Sequence, residues 1–165
     1  MSELSRPISL LKLPRGIVVR ATPEECAAVA ARMDLPAIQS LECFFSLAAE
    51  DDGVSIFAEG RLRAEVTRVC VASAEEFATP VEEDFEIRFV PAGTERDDPD
   101  PDLPDEIPYE GMTIDLGEAA TEQLGLALDP YPRMDGATLP EFDEDEDTSP
   151  FSVLARRMGA NQTRQ

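Results

Sequence analysis

The stretch that decides the fold is Asp115 to Arg133, which reads DLGEAATEQLGLALDPYPR. Asp115 followed by Glu118 is an acidic variant of the capping box, which satisfies free backbone N–H groups where a helix begins. Apolar and small residues then recur at helical spacing along one stripe, and the prolines of the closing DPYPR segment end the pattern. The stretch therefore predicts an amphipathic helix over 115–128 that packs against a sheet.

A second helix has the clearest start in the sequence. Thr22 is a good N-cap, Pro23 suits the first helical position, and Glu25 completes a capping box. The apolar residues that follow share one helical face. We predict a helix over 23–34 that ends before Pro36.

Alternating apolar residues between these helices predict strands. The residues expected to share one face are Leu41, Cys43, Phe45, Leu47, Val54, Ile56, Ala58, Leu62, Ala64, Val66, Phe85, Ile87 and Phe89. Gly60 is interpreted as a bulge or turn between two of the strands. Short connections between consecutive strands imply antiparallel pairing. We predict an α+β domain, with an antiparallel β-sheet or small open barrel and two helices packed against it.

The 165 residues fit one domain with tails. Residues 1–20 are predicted to form an N-terminal extended arm, and residues 21–133 a single domain with a long acidic loop at 91–110. Residues 134–165 are predicted to form an acidic linker and flexible tail that ends in a short apolar and basic segment. No apolar run is long enough for a membrane span, and the first twenty residues lack a signal-peptide core. We expect a cytoplasmic protein.

Charge is the strongest compositional signal. Acidic residues number 35 against 14 basic ones, a formal net charge of -21. Two acidic runs stand out: residues 97–110 hold seven acids and no base, and residues 141–147 hold six acids. Phosphate contacts supply most of the affinity of nucleic-acid binders, so this balance disfavours gripping bare RNA. Two interpretations of the acidic runs stay open: solvated flexible segments or a surface that attracts a basic protein. Calcium is disfavoured, since neither run has the glycine and final glutamate of an EF-hand loop.

The residue combinations on which several common catalytic and zinc sites depend are missing. The chain has no histidine, and its three cysteines, Cys26, Cys43 and Cys70, lie far apart. Ser-His-Asp and Cys-His systems and the usual zinc sites therefore cannot be built, and no glycine-rich phosphate motif is present. Paired carboxylates have no specificity in so acidic a chain. An acidic hydrolase that uses paired carboxylates stays open as a rival interpretation. We expect no metal or cofactor, and we expect the cysteines to be buried free thiols.

A rival interpretation is direct RNA binding through arginines. The basic residues concentrate at the two ends of the chain, and Arg61, Arg63 and Arg68 lie on one predicted strand. Glu65 shares the face of Arg61 and Arg63, so that the basic patch is thin. These arginines could equally pair with the protein's own acids.

Three segments, in order, resemble the YceD family of large ribosomal RNA subunit accumulation proteins, with a likeness to its alphaproteobacterial members. They are ATPEECAAVAARMDLPAI at 21–38, the strand that ends in Cys70, and DLGEAATEQLGLALDPYPR at 115–133; the closing FSVL at 151–154 also fits. Many members carry a C-x-x-C-L pattern after the central strand. Cys70 matches its first cysteine, but Ser73 stands in place of the second. This departure puts a metal or redox role of that pair in doubt.

The resemblance implies a non-enzymatic factor for the accumulation of large-subunit (23S) rRNA and for ribosome biogenesis. The charge of -21 suggests that it binds a basic ribosomal protein or assembly factor, with rRNA contacted directly or indirectly. We predict that the acidic loop 97–110 and the helix 115–128 form the partner surface, although either leucine anchor could belong to the core instead. The predicted partner-binding residues are Asp97, Asp98, Asp100, Asp102, Asp115, Glu118, Glu122, the anchors Leu124 and Leu126, Pro130 and Arg133, and Cys70 is the family motif position.

Overall fold

The alternating segments of the sequence become long strands in the computed structural model, which describes residues 2–98 and 100–138. The elements in chain order are β1 (Pro7–Ser9), a short 3-10 helix (Leu10–Lys12), β2 (Gly16–Arg20), α1 (Pro23–Arg32), β3 (Ala37–Ala49), β4 (Ile56–Val69), β5 (Glu76–Pro91), β6 (Asp105–Tyr109), β7 (Thr113–Asp115) and α2 (Leu116–Ala127). Residues 139–165, with the predicted tail segment and the second acidic run, lie outside the described residues. The division into arm, domain and tail stays a prediction.

The main sheet is open and has the order β2-β3-β4-β5-β6. Its first four strands pair antiparallel, as the short connections predicted, whereas β6 runs parallel to β5. A separate two-stranded sheet joins β1 to β7. The fold is therefore α+β, and the sheet does not close into a barrel.

Both helices pack on the same face of the main sheet. α1 lies against β3, and α2 lies against β4 and β5. The apolar face that they cover is largely the predicted one, with Leu41, Cys43, Phe45, Leu47, Ile56, Ala58, Leu62, Ala64, Val66, Ile87 and Phe89 all buried. Val54, also predicted for this face, is instead exposed, because it lies in the turn between β3 and β4. Residues that alternate with the buried ones point to the opposite face, which neither α1 nor α2 covers. We call it the outer face.

Gly60 does not interrupt the sheet, which differs from the predicted bulge or turn. β4 runs through it from Ile56 to Val69, and Gly60 pairs with Phe45 on one side and Phe85 on the other. The Phe85 ring lies where a side chain of residue 60 would be, with a ring carbon 2.0 Å from the position of a Cβ atom. The glycine thus makes room for an aromatic ring, which packs edge-on against Phe45 with centroids 5.8 Å apart.

Both predicted helix starts are observed, but at α2 the glutamate of the predicted capping box has a different hydrogen-bond partner. At α1, the Thr22 hydroxyl accepts from the Glu25 N–H and the Glu25 carboxylate accepts from the Thr22 N–H, a complete capping box. At α2, Asp115 accepts from the N–H groups of Gly117 and Glu118. The Glu118 carboxylate does not complete that box, because it binds the Arg32 guanidinium instead.

The first residues are built into the fold at the start of α2. Leu4 is fully buried, and the Leu116 N–H donates to the Arg6 carbonyl at 3.1 Å. Gly117 permits this close crossing, because a Cβ atom there would lie 2.5 Å from the Leu4 carbonyl oxygen. The N-terminal segment and α2 therefore hold each other in place.

The acidic loop is shorter than the predicted range 91–110. Residues 105–109 form β6, which extends the sheet alongside the end of β5. Ile107 and Tyr109 pack against the core, and this burial outweighs the polar and proline-rich composition of the segment. Pro108 is tolerated because β6 is an edge strand of the sheet.

Candidate functional site

Helix α2 divides the predicted partner-binding residues between the core and the surface. Leu124 is fully buried, as the alternative assignment to the core predicted. Its side chain is therefore not available to a partner in this structure. Leu126 is 71% exposed, and Glu122 is also exposed. Of the two predicted anchors, only Leu126 lies where a partner could touch it.

Two predicted acids of α2 are engaged within the protein. Asp115 accepts hydrogen bonds from the Arg6 N–H at 2.8 Å and the Ser5 hydroxyl at 2.6 Å, besides capping the helix. Burial raises the pKa of Asp115, but these hydrogen bonds outweigh it and leave the pKa below the ordinary value. The Arg32 guanidinium, 2.9 Å from Glu118, lowers the pKa of that carboxyl. Both acids therefore fasten the N-terminal end of α2.

The segment after α2 folds back against the turn that follows β4. The Arg68 guanidinium donates to the Asp129 carbonyl at 2.8 Å, and the Val71 N–H donates to the Pro132 carbonyl at 2.9 Å. The predicted residues Pro130 and Arg133 are exposed on the outside of this segment.

Cys70 lies beneath this segment and is only 1% exposed. Its sulfur accepts a hydrogen bond from the Met134 N–H at 3.4 Å. That contact, the Ser73 hydroxyl and the N–H groups of Ser73 and Ala72 favour the thiolate and lower the pKa of Cys70 to about 7. Cys43 has the opposite environment, since burial raises its pKa to about 12. The family motif position is therefore a thiol that ionises near neutral pH.

This lowered pKa predicts a pH-dependent stability. An acidic group whose pKa is lower in the folded state than in the unfolded state stabilises the folded state when the pH is above the unfolded-state pKa. This stabilisation is lost as the pH falls through the folded-state pKa. For Cys70 the window runs from about 7 up to the ordinary thiol value of 9.0. We expect the free energy of unfolding, measured by urea titration in reductant, to include a contribution from Cys70 that increases as the pH rises across this window.

Cys70→Ser should abolish that contribution, because serine does not ionise in this range. The control is Cys26→Ala, which removes a thiol whose pKa is raised by burial and should keep the contribution. The same pH dependence in Cys70→Ser and in the wild type would contradict the prediction.

The predicted acidic loop is fastened at its base. The Arg96 guanidinium pairs with Glu106 at 3.0 Å, and Arg88 pairs with the same carboxylate at 3.1 Å and with Glu50 at 2.6 Å. The Glu106 side chain is only 7% exposed. Its pKa is lowered, first by the hydrogen bond from the Arg96 N–H and then by Arg88.

The predicted loop acids are exposed. Asp97, Asp98 and Asp100 are exposed in the loop, and Asp102 lines a cavity on the outer face of the sheet. α2 lies on the other face, with Leu124 in the core. The sheet therefore lies between Asp102 and α2, and the joint partner surface stays a prediction.

The cavity is a feature that sequence reasoning missed. It has a volume of about 920 Å³ and lies between the outer face of β3, β4 and β5 and the loop segment 101–105. We call it the outer groove; its outward-pointing lining residues include Glu42, Phe44, Ser46, Glu59, Arg61, Arg63, Asp84 and Glu86, and the loop adds Asp102, Leu103 and Asp105. Phe44 could have indicated it in the sequence, because it places an aromatic residue at an outward-facing position of the strand, where the alternation predicts a polar one.

Arg61 and Arg63, the basis of the RNA-binding interpretation, are paired with acids on the neighbouring strand. Arg61 contacts Asp84 at 2.7 Å, and Arg63 contacts Glu82 at 3.6 Å. Asp84 in turn has a lowered pKa because of the Arg61 guanidinium. The outer face therefore presents little uncompensated positive charge.

No group of three or more carboxylates and thiols suited to a metal ion occurs within residues 2–98 and 100–138. In the same part of the chain, every helix is too short or too polar to cross a membrane.

Comparison with known proteins identifies the family. The family model described as large ribosomal RNA subunit accumulation protein YceD matches residues 58–156, which is more than half of the chain. The matched range begins at the third residue of β4 and continues through α2, and it includes Cys70, the acidic loop and the segment after α2. No curated protein and no solved structure matches the chain. The chain belongs to the YceD family of large ribosomal RNA subunit accumulation proteins.

Proposed function

We propose that the protein is a non-enzymatic factor in the accumulation of large-subunit (23S) rRNA, and that it acts by binding a basic ribosomal protein or assembly factor. Membership of the YceD family carries the first part of this proposal. The acidic balance of the chain supports the second, because a net charge of -21 favours encounter with a basic partner.

Ion pairing within the described residues also favours a protein partner over bare rRNA. Besides Arg61 and Arg63, the N-terminal arginines Arg6 and Arg20 pair with Glu25 and Glu42, and Arg32 pairs with two glutamates. Phosphate binding by these arginines would have to replace those carboxylates. A basic protein instead meets carboxylates that form no ion pair within the described residues, such as those of Asp97, Asp98, Asp100 and Asp102.

The test is affinity capture of the tagged protein from its own cells, at low and high salt, with and without nuclease. We expect large-subunit proteins or assembly factors to remain bound after nuclease treatment and to be lost at roughly 0.5 M salt, where surface charges are screened. Depletion of the protein should lower 23S rRNA relative to small-subunit rRNA.

Two results would contradict this proposal. Recovery of 23S fragments without ribosomal proteins, abolished by nuclease, would favour direct rRNA binding. Capture of no large-subunit component would contradict both partner classes. Reversing the charges of Arg61 and Arg63 provides the matched comparison, because it should reduce RNA capture but not the capture of a basic protein.

A further inference from the structure

The outer groove has a regular arrangement of side chains that follows from strand register. Three rows cross β3, β4 and β5: Glu42, Arg63 and Glu82 in one, Phe44, Arg61 and Asp84 in the next, and Ser46, Glu59 and Glu86 in the third. All of these residues alternate with the core and therefore point to the outer face. The loop segment 101–105 forms a wall of the cavity.

The first two rows are electrostatically balanced and the third is not. Arg61 and Arg63 each have a carboxylate partner on β5, and Arg20 pairs with Glu42. Glu59 and Glu86 lie directly opposite each other on adjacent strands. No ion pair joins either of them to another described residue. Like charges facing each other across a strand pair destabilise a sheet, and a cation placed between them would remove that repulsion.

Further acidic and apolar groups surround this pair. Asp102 and Asp105 on the loop wall also form no ion pair with the described residues. Phe44 is 48% exposed, and its ring packs against Gly16, with a ring atom 3.5 Å from where a Cβ atom of residue 16 would lie. Leu103 on the loop wall is equally exposed. The groove thus combines unpaired carboxylates with two apolar contact points.

We propose that the outer groove binds a basic, extended segment of a partner protein. An arginine or lysine of that segment lies between Glu59 and Glu86, and an apolar side chain packs on Phe44 or Leu103. The partner class rests on the proposed function, which calls for a basic protein. Charge complementarity favours this occupant over RNA, whose phosphates would face the unpaired carboxylates.

The probe is a fluorescein-labelled synthetic peptide of about twelve residues, long enough to cross the groove in extended form, rich in arginine and containing leucines. Fluorescence anisotropy with the full chain should show binding that weakens with salt. Glu59→Gln combined with Glu86→Gln should weaken it about tenfold, because both carboxylates face the same cation. Phe44→Ser should also weaken it, and replacing the leucines of the peptide by serine should reproduce that loss.

The matched control is Glu75→Gln combined with Glu83→Gln, which removes the same charge from exposed residues outside the groove. It should leave peptide affinity within about twofold of the wild type. The groove variant should also unfold at the same or higher urea concentration than the wild type, because the facing like charges are gone. Lower affinity with undiminished stability separates loss of a binding site from damage to the fold.

If both double variants weakened peptide binding equally, the peptide would be attracted only by the overall negative charge of the protein. That result would overturn the proposal. Binding of a labelled RNA oligonucleotide to the protein alone, with higher affinity than the peptide, would overturn it in favour of RNA. In affinity capture from cells, retention of the same large-subunit proteins by the groove variant would reject the groove and leave the proposed function intact. If the wild type captures none, the proposed function fails while the peptide titration still decides the groove.

Discussion

Gly60→Val should cost about 3 kcal/mol or more of folding free energy, a large share of the roughly 5–15 kcal/mol that holds a typical domain together. The Phe85 ring already fills the space next to Gly60, with ring carbons 2.0 to 2.5 Å from where a Cβ atom would lie. The ring cannot retreat easily, because it packs against the fully buried Phe45. Urea unfolding followed by circular dichroism measures this loss.

Gly125→Ala is the control, since it adds a Cβ atom at a glycine that has space for one. A Cβ atom there meets only the Met33 methyl carbon at 3.6 Å, an ordinary contact. Alanine is favoured over glycine in a helix by about 1 kcal/mol, so this variant should be more stable than the wild type. In the Gly60→Val background, Phe85→Ala should be less harmful than in the wild type, because it removes the ring that the new side chain meets. A Gly60→Val protein of normal stability would contradict the packing described for this site.

Leu124→Ala is expected to lower the free energy of unfolding by about 2–5 kcal/mol, because it leaves a cavity in the core. Leu124 is fully buried among core residues shared by α2 and the sheet. Thermal or urea unfolding of the purified protein tests this.

Leu126→Ala should change stability by less than about 0.5 kcal/mol, because that side chain is exposed on the same helix. Comparison of the two alanine variants distinguishes the two roles that the sequence allowed for these leucines, packing in the core and anchoring a partner. If Leu126→Ala destabilised the protein as much as Leu124→Ala, the orientation of α2 would be contradicted. If Leu126→Ala reduced partner capture while stability stayed normal, the prediction of Leu126 as an anchor would be supported.

Local signals in the sequence were sufficient for the helices and for most strand faces. The capping box of Thr22 and Glu25 and the N-cap Asp115 act within a few residues, so their geometry could be predicted from spacing alone. The alternation from Leu41 to Leu47 similarly identified the buried face, because the side-chain period of a strand is fixed by its backbone.

Features that depend on distant residues could not be predicted in this way. Gly60 suggested a break in the sheet because its role becomes visible only when Phe85 is placed across from it. β6 was not predicted because the segment contains a proline and two acids. Its parallel partner β5 is more than a dozen residues away in sequence, so the pairing leaves no local pattern. The outer groove needs the register that sets Glu59 opposite Glu86, which alternation within one strand does not give.

The helix face of α2 was also only partly predictable. Leu124 and Leu126 are close in sequence and chemically alike, yet one is buried and the other exposed. The helical period indicated a stripe, but the choice between core and partner depended on where the sheet lies. The distribution of the predicted site residues over both faces of the sheet could likewise not be read from their order.

The crossing of the N-terminal segment over Gly117 has a consequence for synthesis of the chain. Arg6 and Asp115, whose hydrogen bond helps close this contact, are 109 positions apart. At ordinary translation rates the early residues wait on the order of 10 s for α2 to emerge. During that interval the apolar face of β3 to β5 lacks its second helix, and long-range closure of this kind is slow. Mutual repulsion between chains of such high negative charge opposes their association during this interval.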